Sequence, residues 1–192
     1  MKTIEVELKG ISPLITHSCR GVNPLDPLTI ELKRLTAKRK KTEEDLRAVS
    51  DLEWELSIYW DDQVGLYIPD ENIEATVREG AKNAKRGKHV ERGFNCLDMM
   101  NPLDIGENLT KEEMKSDFRF RDVRAMRVQT SRVMRTRGRF SMWRCKFRAS
   151  YDESILDLAD IVNALDYAGK NVGLCDSRPR YGKFVSTITE LD

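Results

Sequence analysis

The sequence predicts an α+β fold, and three observations carry the prediction. Apolar and polar residues alternate with period 2 near the N-terminus and again over residues 143–151, which is the signature of half-buried strands. Apolar residues recur at helical spacing after Asp70 and after Glu153. The 192-residue length suffices for one domain with its own core.

The first strand places Ile4, Val6 and Leu8 on one side and Thr3, Glu5, Glu7 and Lys9 on the other, until Pro13 ends regular pairing. Residues 17–27, with Gly21, Pro24 and Pro27, read as a loop, and Lys33 to Lys41 as a basic, exposed helical stretch. Thr42-Glu43-Glu44-Asp45 resembles a capping box and opens a helix with Leu46, Val49, Leu52 and Leu56 on its apolar stripe. Val64 to Ile68 is a short strand closed by Pro69. Asp70 then caps a helix that aligns Ile73, Val77, Ala81 and Ala84.

Residues 85–117 lack a clear period and read as an insertion rather than core. Phe118, Phe120, Met126 and Val128 next alternate with Arg119, Arg121 and Arg127 as a strand. After a turn region around Gly138, Trp143, Cys145, Phe147, Ala149 and Tyr151 face the core while Arg144, Lys146 and Arg148 face away. A helix from Glu153 to Ala168 buries Ile155, Leu158, Val162 and Leu165 and stops at Gly169. A glycine-flanked loop, Gly173 to Gly182, leads to a last strand over residues 184–189. With insertions at about 17–63 and 85–117 removed from a single domain 1–192, the order is strand, helix, strand, strand, helix, strand. That is the split βαβ, ferredoxin-like order, which the RNA-recognition motif shares.

Charge is unevenly distributed. Arg119 to Arg148 holds ten arginines, one lysine and a single acid, Asp122, which leaves 22 basic against 31 acidic residues in the rest of the chain. Arginine's planar fork binds phosphate bidentately and stacks on bases, so single-stranded nucleic acid, DNA or RNA, is the expected partner. The acidic remainder would meet the basic face of a neighbouring copy, giving a head-to-tail homo-oligomer or filament. Cys19, Cys96, Cys145 and Cys175 form no C-x-x-C pair, so the expectation is reduced thiols with no metal and no cofactor. No apolar run reaches the roughly twenty residues that span a bilayer, and the start alternates like a strand rather than a signal peptide. A cytoplasmic protein without a membrane partner is the expectation.

Two segments resemble the RAMP superfamily (repeat-associated mysterious proteins), especially the backbone subunits that coat guide RNA in CRISPR effector complexes. Tyr67-Ile68-Pro69-Asp70-Glu71-Asn72-Ile73-Glu74-Ala75 is similar to the family's Tyr-Ile-Pro-Gly-Ser-Ser-Leu-Lys-Gly, departing at the Gly-Ser-Ser and at the lysine. The loop Gly173 to Gly182 occupies the place of the family's glycine-rich loop, with fewer glycines. The resemblance implies a ferredoxin-like core whose glycine loop contacts RNA and a thumb-like element at residues 129–140. The lack of a second module is similar to stand-alone bacteriophage members, which implies phage strands in a host cytoplasm.

The candidate nucleic-acid contacts are Arg127, Arg132, Arg135, Arg137, Arg139, Phe140, Arg144, Lys146 and Arg148, together with Arg178, Arg180, Tyr181 and Lys183 of the loop. Phe140 and Tyr181, each flanked by basic residues, are the stacking candidates. Lys85, Arg86 and Lys88 are possible further phosphate contacts. No catalytic constellation is evident. His17, with Asp26, would serve an alternative reading as a metal-independent endoribonuclease. A second alternative is a protein decoy or inhibitor that occupies a host RNA-protein complex.

Overall fold

The computed structural model describes residues 1–128 and 130–191; Gln129, the first residue of the expected thumb-like element, and the Val128 side chain lie outside the described part. Along the chain run β1 (Lys2–Gly10), β2 (Leu14–Thr16), α1 (Pro27–Thr36), α2 (Glu43–Ser57), β3 (Trp60–Asp61), β4 (Gly65–Pro69) and α3 (Asp70–Ala81). They are followed by α4 (Gly87–Gly93), β5 (Phe94–Cys96), β6 (Met100–Asp104), α5 (Lys111–Ser116), β7 (Arg121–Val128), β8 (Ser131–Phe140), β9 (Arg144–Tyr151), α6 (Leu158–Tyr167) and β10 (Phe184–Leu191). The fold is α+β with antiparallel pairing between neighbouring strands. No helix among the described residues is long and apolar enough to cross a membrane.

The chain divides into two compact units, one made of Met1–Leu14, Trp60–Glu107 and Ser141–Asp192, the other of Ile15–Tyr59 and Asn108–Phe140. The first unit holds a sheet ordered β10-β1-β9-β6-β4-β3, with β5 also pairing β9. Its inner face is the apolar half of each alternation: Ile4, Val6 and Leu8 from β1, and Cys145, Phe147, Ala149 and Tyr151 from β9, all at most 3 % exposed. Trp143, just ahead of β9, is buried with them. Helices α3 and α6 touch each other and bury Ile73 and Val77, and Ile161, Ala164 and Leu165.

Several expectations need correction in this unit. Residues 85–104 are core rather than insertion, because β6 lies between β4 and β9 and Val90, Phe94 and Leu103 are buried. Asp70 is the first residue of α3, not its cap; Pro69 holds the cap position. The last helix begins at Leu158 instead of Glu153, since Asp157 accepts the N–H of Asp160 at 2.8 Å and starts the helix there. Val162, expected on its buried stripe, is exposed.

The second unit holds a sheet ordered β2-β8-β7, with α2 against β8 and α1 against α2. Pro27 opens α1 behind Asp26, whose carboxylate accepts the N–H groups of Leu28 and Thr29, so the expected loop ends sooner and the helix starts earlier than the basic stretch suggested. The Thr42 capping box is formed: Thr42 Oγ1 accepts the N–H of Asp45 at 3.2 Å, and Asp45 accepts the N–H of Thr42 at 3.1 Å. Of the expected stripe of α2, Leu56 is buried and Leu46 is exposed, and the largest buried side chain of the helix is Trp54. Trp54 donates its indole N–H to the carbonyl of Phe120 at 2.8 Å. Phe118–Phe120 is a short 3-10 turn, not the start of a strand.

Candidate nucleic-acid interface

The arginine-rich segment builds two different surfaces, one in each unit. In the second unit β7 and β8 form a two-stranded ribbon in which Arg127 faces Arg132 and Arg124 faces Arg135 across the ladder. The strand β8 runs unbroken through Gly138, so the expected turn there is absent and Arg132, Arg135, Arg137 and Arg139 lie in strand. Arg127 and Arg132 are exposed; Arg135, Arg137 and Arg139 are half-buried.

Helix α2 holds this ribbon with a polar stripe. Ser50, Glu53 and Ser57 recur at helical spacing on one side of α2. Ser50 Oγ lies 2.8 Å from Thr136 Oγ1, Glu53 accepts the N–H of Thr136 at 2.8 Å, and Ser57 Oγ accepts the N–H of Gly138 at 2.8 Å. Glu53, buried, also pairs with Arg135. Arg121 is spent in the same way: its side chain is only 9 % exposed and donates to Asp51 at 2.6 Å. Arg119 pairs with Asp117, and Arg124 with Asp122. The charge excess of the segment is therefore much smaller at the ribbon's base than the sequence count implies.

Phe140 is not a stacking residue. It is 0 % exposed, with its ring centroid 6.1 Å from that of Phe120, because it falls on the buried side at the end of β8.

In the first unit, the cationic face of β9 is matched across the sheet. Arg148 lies opposite Glu5, Lys146 opposite Glu7, and Arg144 opposite Lys9 on one side and Asp104 on the other. Arg148 also forms a two-point pair with Asp98 at 2.9 and 3.1 Å. These residues do not lie beside the arginines of β7 and β8, which belong to another sheet. Opposite charges facing one another across strands stabilise the sheet without a ligand.

The loop after α6 keeps its expected character. Gly173 and Gly182 have φ of 85° and 72°, values that favour glycine, and Leu174 donates its N–H to the carbonyl of Gly182 at 2.9 Å. Arg178 and Arg180 are exposed, and the Arg180 guanidinium lies 5.6 Å from the centroid of the half-buried Tyr181 ring. Lys183 is half-buried. Lys85 and Lys88 are exposed, whereas Arg86 pairs with Asp160 at 3.3 Å.

His17 lies in the second unit, at a cleft of about 400 Å³ that it shares with Arg127, Arg135, Arg137 and Glu53. The His17 residue is exposed at the cleft, yet desolvation by the surrounding atoms lowers the pKa of its imidazole, and the neighbouring Arg137 and Arg135 lower it further. Burial likewise weakens the hold of Arg137 on its proton. Asp26 is not the partner of His17. Its second oxygen is taken by Arg20 at 3.0 Å while the first caps α1. Glu53 was missed by the sequence reading, although the Ser50, Glu53, Ser57 spacing carries a signal for a polar helix face.

Compared with protein-family models and with curated protein sequences, the chain matches none.

Proposed function

We propose that the protein binds single-stranded nucleic acid through the β7–β8 ribbon, with Arg178, Arg180 and Tyr181 as a second contact, in adjacent copies along the strand. The carrying observation is the arginine-to-arginine match towards the far end of the ribbon, Arg127 with Arg132, whereas Arg124 and Arg135, matched nearer its base, are paired with Asp122 and Glu53. Like charges placed directly opposite destabilise a ladder, so an arrangement of this kind is favoured when a polyanion lies over it. The face that Arg127 and Arg132 share also carries the exposed Met134 and Val123, apolar contacts for sugar or base.

The strand order β10-β1-β9-β6, with α3 before β6 and α6 before β10, supports a ferredoxin-like core of the RAMP kind. RNA-recognition motifs use the open sheet face for stacking. Here that face carries the matched charges Glu5, Glu7, Arg148 and Lys146, so the reading puts the strand on the ribbon and loop instead.

A second reading, endoribonuclease activity, is favoured by one observation: the cleft joins His17 to Arg135 and Arg137. Its weakness is the second proton carrier. Glu53 already accepts from Thr136 and pairs with Arg135.

Titration of labelled DNA and RNA oligonucleotides at several salt concentrations tests the binding reading, since each phosphate neutralised contributes roughly −0.7 to the slope of log affinity against log salt. Replacing Arg127 and Arg132 with alanine should weaken binding while leaving the melting temperature within a few degrees, because exposed substitutions change stability by only about 0.5 kcal/mol. Arg178→Ala with Arg180→Ala should weaken it separately. A salt-independent affinity, or an unaffected ribbon variant, would overturn the reading; RNA cleavage that disappears in His17→Ala would replace it with the second one.

A further inference from the structure

Strand β10 forms a border of the first unit's sheet, pairing β1 on one side and no strand on the other. Among the described residues, nothing but β1 hydrogen-bonds to the main chain of residues 185–191. An edge strand turns alternate N–H and C=O groups outward, so it is a template for another strand unless the sequence blocks it by brevity, charge, proline or a bulge. The other borders are blocked. Strands β2, β3 and β5 are two or three residues long, and β7 carries Arg121, Asp122, Arg124 and Arg127. Strand β10 instead has eight residues in unbroken register with β1, no proline, and a single charge, Glu190, whose carboxylate lies 4.0 Å from Lys2 Nζ. Val185, Thr187, Ile188 and Thr189 are β-branched and suit a pleated surface.

We propose that β10 pairs with β10 of a second copy, antiparallel about a two-fold axis at Ile188, so that one sheet continues through a dimer. Residues directly opposite in an antiparallel ladder share a face, and a two-fold axis normal to the sheet centres the ladder on one residue. With the axis at Ile188, Val185 meets Leu191 of the second copy and Thr187 meets its Thr189, each twice by symmetry. Val185 and Leu191 are 49 % and 38 % exposed and are the large apolar side chains of the strand's solvent face, and this register covers each with the other. On the opposite face the half-buried Ile188 meets its own copy, and the Ser186 hydroxyl can donate to the carboxylate of Glu190. Moving the axis one residue, to Thr187 or to Thr189, would set that carboxylate against Phe184 or Ile188. The strand is complementary to itself in apolar surface and in polar groups, which selects a second copy over a foreign strand. The pairing needs no nucleic acid and does not rest on the proposed strand coating.

Sedimentation velocity of the nuclease-treated full chain over a range of concentrations tests the pairing, with one series in about 1 M salt, where exposed charges are screened beyond roughly 3 Å. The protein should form a dimer that persists in salt, and hydrogen exchange over residues 185–191 should slow as it forms. Val185→Lys with Leu191→Lys places like charges opposite one another, whereas Val185→Lys with Leu191→Glu places opposite charges there. At low salt the first variant should dimerise roughly tenfold or more weakly than the second. Both positions are exposed, so the two variants should melt within a few degrees of wild type, which serves as the folding control. If the lysine pair does not fold, Thr187→Lys combined with Thr189→Lys or with Thr189→Glu repeats the comparison at the adjacent rung. A wild type that stays monomeric overturns the proposal and leaves the edge to a foreign strand. A dimer that salt dissociates, or that the lysine and glutamate variants affect equally, lies on another surface and overturns it as well.

Discussion

The buried carboxylate of Glu53 accepts the backbone N–H of Thr136 at 2.8 Å, so a helix side chain fixes the middle of the arginine ribbon. Glu53→Ala would leave that buried N–H without an acceptor. A hydrogen bond to a charged group contributes about 1.5–3 kcal/mol, and chemical denaturation should show a loss of this order. Arg135→Ala should cost less, since its side chain is 40 % exposed and the pair is screened by solvent.

Gly10 in the first unit has Trp143 over it. A Cβ at Gly10 would stand 2.2 Å from the indole Nε1, which itself donates to the carbonyl of Ser12 at 2.9 Å. Gly10→Ala must displace a buried ring that packs edge-on against Phe184, so it should destabilise the protein by about 1–3 kcal/mol. Phe147→Ala, which empties a core position instead, should cost about 3–5 kcal/mol. Tryptophan fluorescence should report the first variant and change less in the second.

The titration of His17 has a defined sign. Its folded pKa lies below the usual 6.5, so between the two values the unfolded chain binds more protons than the native one. Stability therefore carries no penalty from this group above the usual value and falls as the pH drops from there through the folded pKa. In a buffer without phosphate, the melting temperature of wild type should decrease over this window more steeply than that of His17→Asn. Equal slopes would remove His17 as the cause.

Thiol reactivity should separate the cysteines. Cys19 is exposed, whereas burial pushes the Cys145 and Cys175 thiols up to about 12 and keeps Cys96 raised as well. The thiolate is the reactive form. Alkylation of the native protein followed by peptide mapping should label Cys19 first and the other three only on unfolding.

Some of this architecture is determined locally and is legible in the chain alone. The alternation of Ile4, Val6 and Leu8, and that of Cys145, Phe147 and Ala149, defines strand and buried face together, because successive side chains in a strand point to opposite sides. Thr42 and Asp45 similarly make a helix start with no help from elsewhere. The strand β6 escaped because its buried face includes Asn101, a polar residue whose amide donates to the carbonyl of Ile68 at 3.2 Å, so no apolar period marks it. Tertiary structure alone decided which arginines are committed. Glu5, Glu7 and Asp98 meet the basic residues of β9, and Asp51 and Glu53 meet Arg121 and Arg135, through strand pairing and helix packing between segments far apart in sequence. Charge along a chain is a sum over neighbours in sequence, whereas the field at a site is a sum over neighbours in space, and folding changes which charges are neighbours.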